Sequence, residues 1–229
     1  MSWTKEEEVK LRQVVKDSGV KLLKENLVQG TWGNMAQRLD SEYMLVTPTG
    51  LDYEALSPED MHVVSIADPS VWRDGKKPTS ERKIHAYLML NRSEINATIH
   101  SHPYYGSIFA SARKELPEEA MTEEEKKLLG GSIRVGAYGL PGTKKLKEGT
   151  VKAMEGRNAC FMANHGVFCA GKDMEEAFEI IRCLERVCKR YIEQLTVKAT
   201  GANEYSDGLL FDYFIKKCGR EFRKNRRAS

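Results

Sequence analysis

The stretch Ala97-Thr98-Ile99-His100-Ser101-His102-Pro103 decides how the rest of this chain is read. With Ile95 and Asn96 before it, polar and apolar residues alternate, the pattern of a half-buried strand on which residues two apart share a face. Histidines at i and i+2 of such a strand stand roughly 6.5–7 Å apart at Cα, near enough to converge on one cation. Neutral imidazole is the commonest metal ligand, and zinc takes nitrogen at about 2.0–2.1 Å. Taken alone, such a pair more often simply ends a strand. The other histidines are His62, His85 and His165. His165 lies in Ala163-Asn164-His165-Gly166-Val167, between apolar runs at 159–162 and 167–170, which reads as a strand interrupted by a His-Gly turn. It is a candidate third ligand, although by itself it would be a loop histidine. His62, in the strand-like run 61–66, reads as structural.

The totals set bounds. At 229 residues the chain is expected to fold as one domain with a sizeable core. Hydrophobic residues make up 41% and charged residues 30%, the balance of a globular chain rather than a disordered one. A net charge of +3 gives no general electrostatic case for nucleic acid, and no apolar run reaches membrane-spanning length. The acidic start Met1-Ser2-Trp3-Thr4-Lys5-Glu6-Glu7-Glu8 lacks an apolar leader. The five cysteines include no C-x-x-C pair and read as reduced and mostly structural. Together these predict a cytoplasmic protein with no membrane and no nucleic-acid partner.

Outward from the histidines, residues 4–26 read as a helix capped by Thr4. In Gly30-Thr31-Trp32-Gly33-Asn34-Met35-Ala36-Gln37-Arg38-Leu39 the two glycines around a Thr and an Asn suit a turn whose amides can approach an anion, although in isolation it reads as a plain glycine turn between helix and strand. Tyr43–Val46 is strand-like and ends in Thr47-Pro48-Thr49-Gly50, a second polar turn. Residues 67–78 form a hairpin-type loop. Thr79-Ser80-Glu81 opens a helix running to Asn91, with Thr79 or Ser80 as N-cap and Glu81 in the first turn. Any helix favours that arrangement, but such an N-terminus can also hold a phosphate while its acid faces a metal. Residues 104–112 suit a helix, 115–127 a charged helix or loop, and 133–138 a short strand. Gly142-Thr143 precedes another helix. Asp173 caps a long helix whose stripe Met174, Ala177, Phe178, Ile181, Leu184, Val187, Tyr191 and Leu195 reads as core or subunit contact. A possible short helix from 209 to 222 leads into the basic tail Arg220, Arg223, Lys224, Arg226 and Arg227.

Six stretches then fall into one order: Gly30-Thr31-Trp32-Gly33-Asn34, Thr47-Pro48-Thr49-Gly50, Thr79-Ser80-Glu81, His100-Ser101-His102, Gly142-Thr143 and Asn164-His165-Gly166. Over roughly residues 5–195 the chain thereby resembles the class II aldolase/adducin family, and within it the L-fuculose-1-phosphate aldolase type. The resemblance implies an α/β fold of three α/β/α layers on a mainly antiparallel central sheet. It implies a single such domain over 1–229, with the basic tail from about residue 220. It also implies a homotetramer with active sites at subunit interfaces. By the same resemblance His100, His102 and His165 correspond to zinc ligands, with manganese or cobalt as other fitting ions, and Glu81 to the catalytic acid/base. Gly33, Asn34, Thr49, Gly50, Thr79 and Ser80 correspond to the phosphate-binding, substrate-side positions.

The implied reaction is reversible cleavage of a ketose 1-phosphate, a small sugar phosphate, to dihydroxyacetone phosphate and an aldehyde. The related 4-epimerases carry aspartate where this chain has Glu81, which favours the aldolase. Decarboxylases and dehydratases of the same fold are the alternatives, as is a non-catalytic adducin-like interaction module. The sequence departs from the fuculose type in one place. That type has a tyrosine shortly before its Gly-Gly, where this chain has Glu123-Glu124-Glu125-Lys126-Lys127-Leu128-Leu129. Tyr104, Tyr105, Tyr205 and Tyr213 are the candidate replacements. Trp32 adds bulk to the first glycine turn.

Overall fold

The alternating stretch around His100 becomes a strand near the middle of an eight-stranded sheet in the computed structural model. The strands are β1 (Asn34–Arg38), β2 (Tyr43–Val46), β3 (His62–Ser65), β4 (Trp72–Arg73), β5 (Ala97–Ser101), β6 (Val135–Gly136), β7 (Ala159–Met162) and β8 (Gly166–Gly171). Their spatial order is β4-β3-β2-β1-β5-β8-β7-β6, antiparallel throughout except for the β6–β7 pair. The helices are α1 (Lys5–Lys24), α2 (Arg82–Asn91), α3 (Tyr104–Ala112), α4 (Glu123–Leu129), α5 (Lys144–Ala153), α6 (Met174–Thr200) and α7 (Leu209–Asn225).

The structure describes residues 3–73 and 77–225, with side chains through residue 217. Met1-Ser2, the hairpin tip 74–76 and Arg226 and Arg227 of the expected basic tail lie outside the described residues, as do the side chains of Arg220, Arg223 and Lys224. The chain divides into two compact units, Met1–Arg186 and Val187–Ser229. The first holds the sheet and everything that follows about the site. The second holds the end of α6 and all of α7. Among the described residues no helix is long and apolar enough to cross a membrane.

Alternation along the strands creates two covered faces. On one, Ala36, Met44, Val46, Val64, Cys160, Met162 and Phe168 pack with Ile84, Leu88 and Met89 of α2 and Leu146 of α5. On the other, Phe161 stacks on Phe109 of α3 with ring centroids 5.2 Å apart. Each such side chain taken wholly out of water contributes about 1.5–3 kcal/mol. This is the α/β/α layering that the resemblance implied. The stripe on the first half of α6 is core: Met174, Ala177, Phe178, Ile181 and Leu184 are all buried. Glu185 of α6 accepts hydrogen bonds from the Tyr105 and Gly106 amides at 2.7 and 2.8 Å, which pins the first turn of α3.

Three local readings change. The stretch after the glycine turn, left unassigned by the sequence, is strand β1, flanked by β2 and β5 with both faces covered, so Asn34 and Gln37 are buried and the alternation is masked. The strand expected at 133–138 contracts to β6, because the Ile133 amide and carbonyl bond Leu116 instead, at 2.9 and 3.0 Å. Helix α2 begins at Arg82 with Glu81, not Thr79 or Ser80, at the N-cap.

Candidate active site

Strand register sets the first half of the site. His100 of β5 lies directly between Asn34 of β1 and Phe168 of β8, so the three share one face of the sheet, the face under α2. His102 follows two residues on, just past the end of the strand. His165 arrives from the turn between β7 and β8, where Asn164 adopts the left-handed conformation (φ 53°). Gly166 makes that approach possible: a Cβ there would lie 2.5 Å from the Ser101 carbonyl oxygen and 3.0 Å from the His102 ring. The three imidazoles therefore meet, with ring centroids 4.7–5.3 Å apart and one nitrogen from each within 4.8 Å of the others.

All three rings are held neutral. Burial pulls His100 down to about 4, partly offset by its Nδ1–H bond to the Val167 carbonyl at 2.8 Å. That bond fixes the tautomer and leaves the Nε2 lone pair facing the site. Burial, reinforced by the neighbouring imidazoles His100 and His165, pulls His102 down to about 3. His165 is lowered by burial and by His100, against the opposing pull of Glu81.

Glu81 completes the cluster from the N-cap of α2. Its carboxylate makes no capping bond; it turns inward, to 3.3 Å from His100 Nε2 through Oε2 and 3.4 Å from His165 Nε2 through Oε1. Asn34 Nδ2 donates to Oε2 at 2.7 Å, while Oε1, though buried, has no hydrogen-bond partner. Burial raises the Glu81 pKa, opposed by His165 and the Asn34 bond. A buried carboxylate oxygen without a hydrogen-bond partner, beside three imidazoles whose nitrogens converge within 4.8 Å, is a set of groups that a divalent cation would satisfy. The residues present thus fit a metal.

Beside this cluster the 47–50 turn closes on the segment that leads into α2. Pro48 and Pro78 form an isolated bridge, and the Thr79 amide donates to the Thr47 carbonyl at 3.1 Å. Gly50 takes a positive φ of 66°, which lets its turn fold over the N-terminus of α2. The result is a cleft of about 400 Å³ lined by Gly33, Asn34, Thr49, Gly50, Thr79, Ser80, Glu81, His100, His102 and His165, together with Thr31, Trp32, Pro48 and Pro141. The ten positions matched to metal, acid and phosphate roles all line this one cleft, whereas Gly142, Thr143 and the candidate tyrosines do not. Its lining contains hydroxyls, backbone amides and a helix N-terminus but no lysine or arginine among the described residues. His62, read as structural, is buried elsewhere, at the start of β3.

A second cavity of about 810 Å³ adjoins the histidines, walled by Trp32, Tyr104, Ile108 and Ala112 with Gln29, Ser107 and Ser111. Trp32, 67% exposed, lines both cavities and tilts over His102 at 6.1 Å between ring centroids. Tyr104 thus borders the site, whereas Tyr205 and Tyr213 belong to the second unit.

Sequence reasoning missed His85. It is wholly buried on α2, with Nδ1 2.6 Å from Thr98 Oγ1 and Nε2 2.7 Å from Asn34 Oδ1. Burial, then the neighbouring His100, pulls it down to about 3. The available signal was spacing: Glu81 and His85 are four apart at the start of one helix and share a face.

The sequence profile of the class II aldolase and adducin N-terminal domain matches residues 15–192. The chain belongs to the class II aldolase and adducin family. Among its relatives, the 5-methylthioribulose-1-phosphate/5-deoxyribulose-1-phosphate aldolase of Rhodospirillum rubrum is 31% identical over 183 residues, 80% of each chain. The L-fuculose phosphate aldolase of Methanocaldococcus jannaschii is 33% identical over 178 residues, 78% of this chain and 93% of that one. A solved structure titled L-fuculose 1-phosphate aldolase superposes with a TM-score of 0.75 at 29% identity, covering 90% of this chain and 94% of the other. This member of the family therefore combines the family's fold with a three-histidine candidate metal site.

Proposed function

We propose that this class II aldolase reversibly cleaves a deoxy or thioether ketose 1-phosphate, L-fuculose 1-phosphate-like in its reacting end, to dihydroxyacetone phosphate and an aldehyde. The observation that carries the reading is the unpartnered Glu81 Oε1, set against three neutral imidazoles at the edge of a hydroxyl-lined cleft. His100, His102 and His165 would hold the metal, and three nitrogen donors suit zinc, with manganese or cobalt as other fitting ions. Bound there, the metal supplies Lewis-acid stabilisation of the charge that develops on substrate oxygen.

The protein's own groups do the rest. The hydroxyls of Thr49, Thr79 and Ser80, the backbone at Gly33 and Asn34 and in the Gly50 turn, and the N-terminus of α2 hold the phosphate. In cleavage the hydroxyl on carbon 4 passes its proton through the exposed Tyr104 hydroxyl to solvent and the bond between carbons 3 and 4 breaks, its electron pair staying with carbon 3. Glu81 delivers the proton that carbon 3 gains, and removes it in the synthetic direction. Tyr104, on the wall of the second cavity, offers a hydroxyl at the aldehyde side. The apolar Trp32, Ile108 and Ala112 of that wall suit a methyl or methylthio end. The printed substrates of the Rhodospirillum rubrum relative support this, as does the 28% identical 5-deoxy-D-ribulose 1-phosphate aldolase of Bacillus thuringiensis, which covers 82% of this chain. The same reading includes a cytoplasmic homotetramer with interface sites; the buried thiols of Cys160 and Cys169, neither in a disulfide, support a reducing compartment.

The test is a retro-aldol assay on L-fuculose, 5-deoxyribulose and 5-methylthioribulose 1-phosphates, reading dihydroxyacetone phosphate with and without chelator. Product should vanish with chelator and return with zinc. Glu81→Gln should lower kcat by about 10²–10⁴-fold with zinc still bound. No product from any of the three, or full turnover by Glu81→Gln, sinks the reading.

A further inference from the structure

Beneath Glu81 runs a chain of buried polar groups, and the proposed reaction leaves two of them, His85 and Thr98, without a task. Thr98 Oγ1 lies 2.6 Å from His85 Nδ1, His85 Nε2 lies 2.7 Å from Asn34 Oδ1, and Asn34 Nδ2 donates to Glu81 Oε2 at 2.7 Å. All four residues are buried, Thr98 and His85 completely. With Glu81 ionised, only one proton arrangement satisfies every link. A carboxylate only accepts, so Asn34 presents its NH2 to Oε2 and its carbonyl to His85. That carbonyl only accepts, so His85 Nε2 carries the hydrogen. The neutral ring then has its lone pair at Nδ1, which accepts from the Thr98 hydroxyl. Reversing any link sets donor against donor or acceptor against acceptor where no water replaces the loss.

We propose that His85 is a positioning residue: through the Asn34 amide it ties down Oε2 of Glu81 and so dedicates Oε1 to carrying the proton. The two oxygens already differ in the way this requires. Oε2 is bonded to Asn34, whereas Oε1 has no partner and faces His165. His85 lines neither cavity, so it touches no substrate and acts only through its neighbour. The ring is itself fixed: Thr98 and Asn34 hold its edges, and Phe168 packs against it at 5.0 Å between ring centroids. The kinetic consequence rests on the aldolase reading of Glu81; the proton arrangement does not.

His85→Phe keeps a ring in place and removes both nitrogens. Its kcat should fall by about 10–100-fold, with zinc content unchanged and KM for the ketose 1-phosphate within about threefold of wild type. Because the effect runs through one amide, adding His85→Phe to Asn34→Ala should cost nothing further. Thr98→Val should lower kcat in the same direction and Thr98→Ser should restore it, and this pair decides the kinetics if His85→Phe does not fold. Imidazole ¹⁵N spectra of the zinc-loaded wild-type protein should show His85 protonated at Nε2. A folded His85→Phe with normal kcat, additive losses in the double variant, or a Nδ1-protonated His85 would each overturn the proposal. If the wild-type chain cleaves no ketose 1-phosphate, the aldolase reading fails, and the tautomer alone still decides whether His85 orients Asn34.

Discussion

Gly166 sets the distance between the third histidine and the other two. Residue 166 pairs with Met162 at the mouth of the β7–β8 turn, and its missing side chain is where the Ser101 carbonyl and the His102 ring come to rest. Replacing it with alanine places a methyl group 2.5 Å from that carbonyl oxygen, an approach that the backbone must relieve by moving β8 away from β5. His165 moves with it. Gly166→Ala should therefore weaken zinc binding by about 10–100-fold, the loss typical when a ligand's support is disturbed. It should lower stability by only about 1–3 kcal/mol, as overpacking does. Competition against a chromophoric chelator measures the first and urea unfolding of the metal-free chain the second. Unchanged affinity would show that β8 tolerates the methyl without displacing the ligand.

At the scale of elements, α2 concentrates more of the site than any other segment. Thr79 and Ser80 precede it, Glu81 caps it and His85 stands one turn in. The first three were legible in the sequence because a hydroxyl-hydroxyl-acid run before an apolar-periodic helix is a strong local signal. The orientation of Glu81 was not, since a capping carboxylate and one turned into a cleft have the same sequence. His85 was hidden among Ile84, Leu88 and Met89, where a histidine reads as core; only its bonds to Thr98 and Asn34 distinguish it. Strand β1 was masked for the related reason that a site-facing Asn34 and a buried Gln37 break the alternation. The buried histidine also has a pH consequence of definite sign. Its folded-state pKa is about 3 against an ordinary 6.5, so the unfolded chain takes up the proton first. The stability this contributes is complete above pH 6.5 and is lost as pH falls from there towards 3; His100, at about 4, adds to it in the same direction. The Tm of chelator-treated protein should thus decline from pH 7 to pH 4, and His85→Phe should decline less steeply. Parallel pH profiles for the two would remove His85 from the account of acid lability.

At the scale of the whole molecule, two groups of exposed apolar side chains among the described residues bear on assembly. In the first unit Trp32, Tyr104 and Ile108 are exposed around the second cavity, beside the histidines. In the second unit Leu210, Phe211, Phe214 and Ile215 are exposed on α7, at the spacing of a single helix face. Monomeric proteins rarely leave contiguous apolar patches of this kind in water, and exposed apolar groups of this size are what subunit interfaces cover. The proposed reaction adds a chemical reason for covering the first. Charge that develops at carbon 3 is protected from stray protonation only when water is excluded, and the cavity wall carries side chains, Trp32, Tyr104 and Ile108, that are themselves exposed. A second copy of the chain closing over Ile108 would do both, consistent with the interface sites of the proposed homotetramer. Light scattering on the zinc-loaded protein should therefore report the mass of four chains. Ile108→Glu, which sets a charge where a neighbour would pack, should shift that mass downward at micromolar concentration while zinc content stays at one per chain. A wild-type chain that runs as a monomer with full turnover would show that one copy shields the reaction alone, and the apolar rim of the cavity would then belong to the substrate's aldehyde end rather than to a partner.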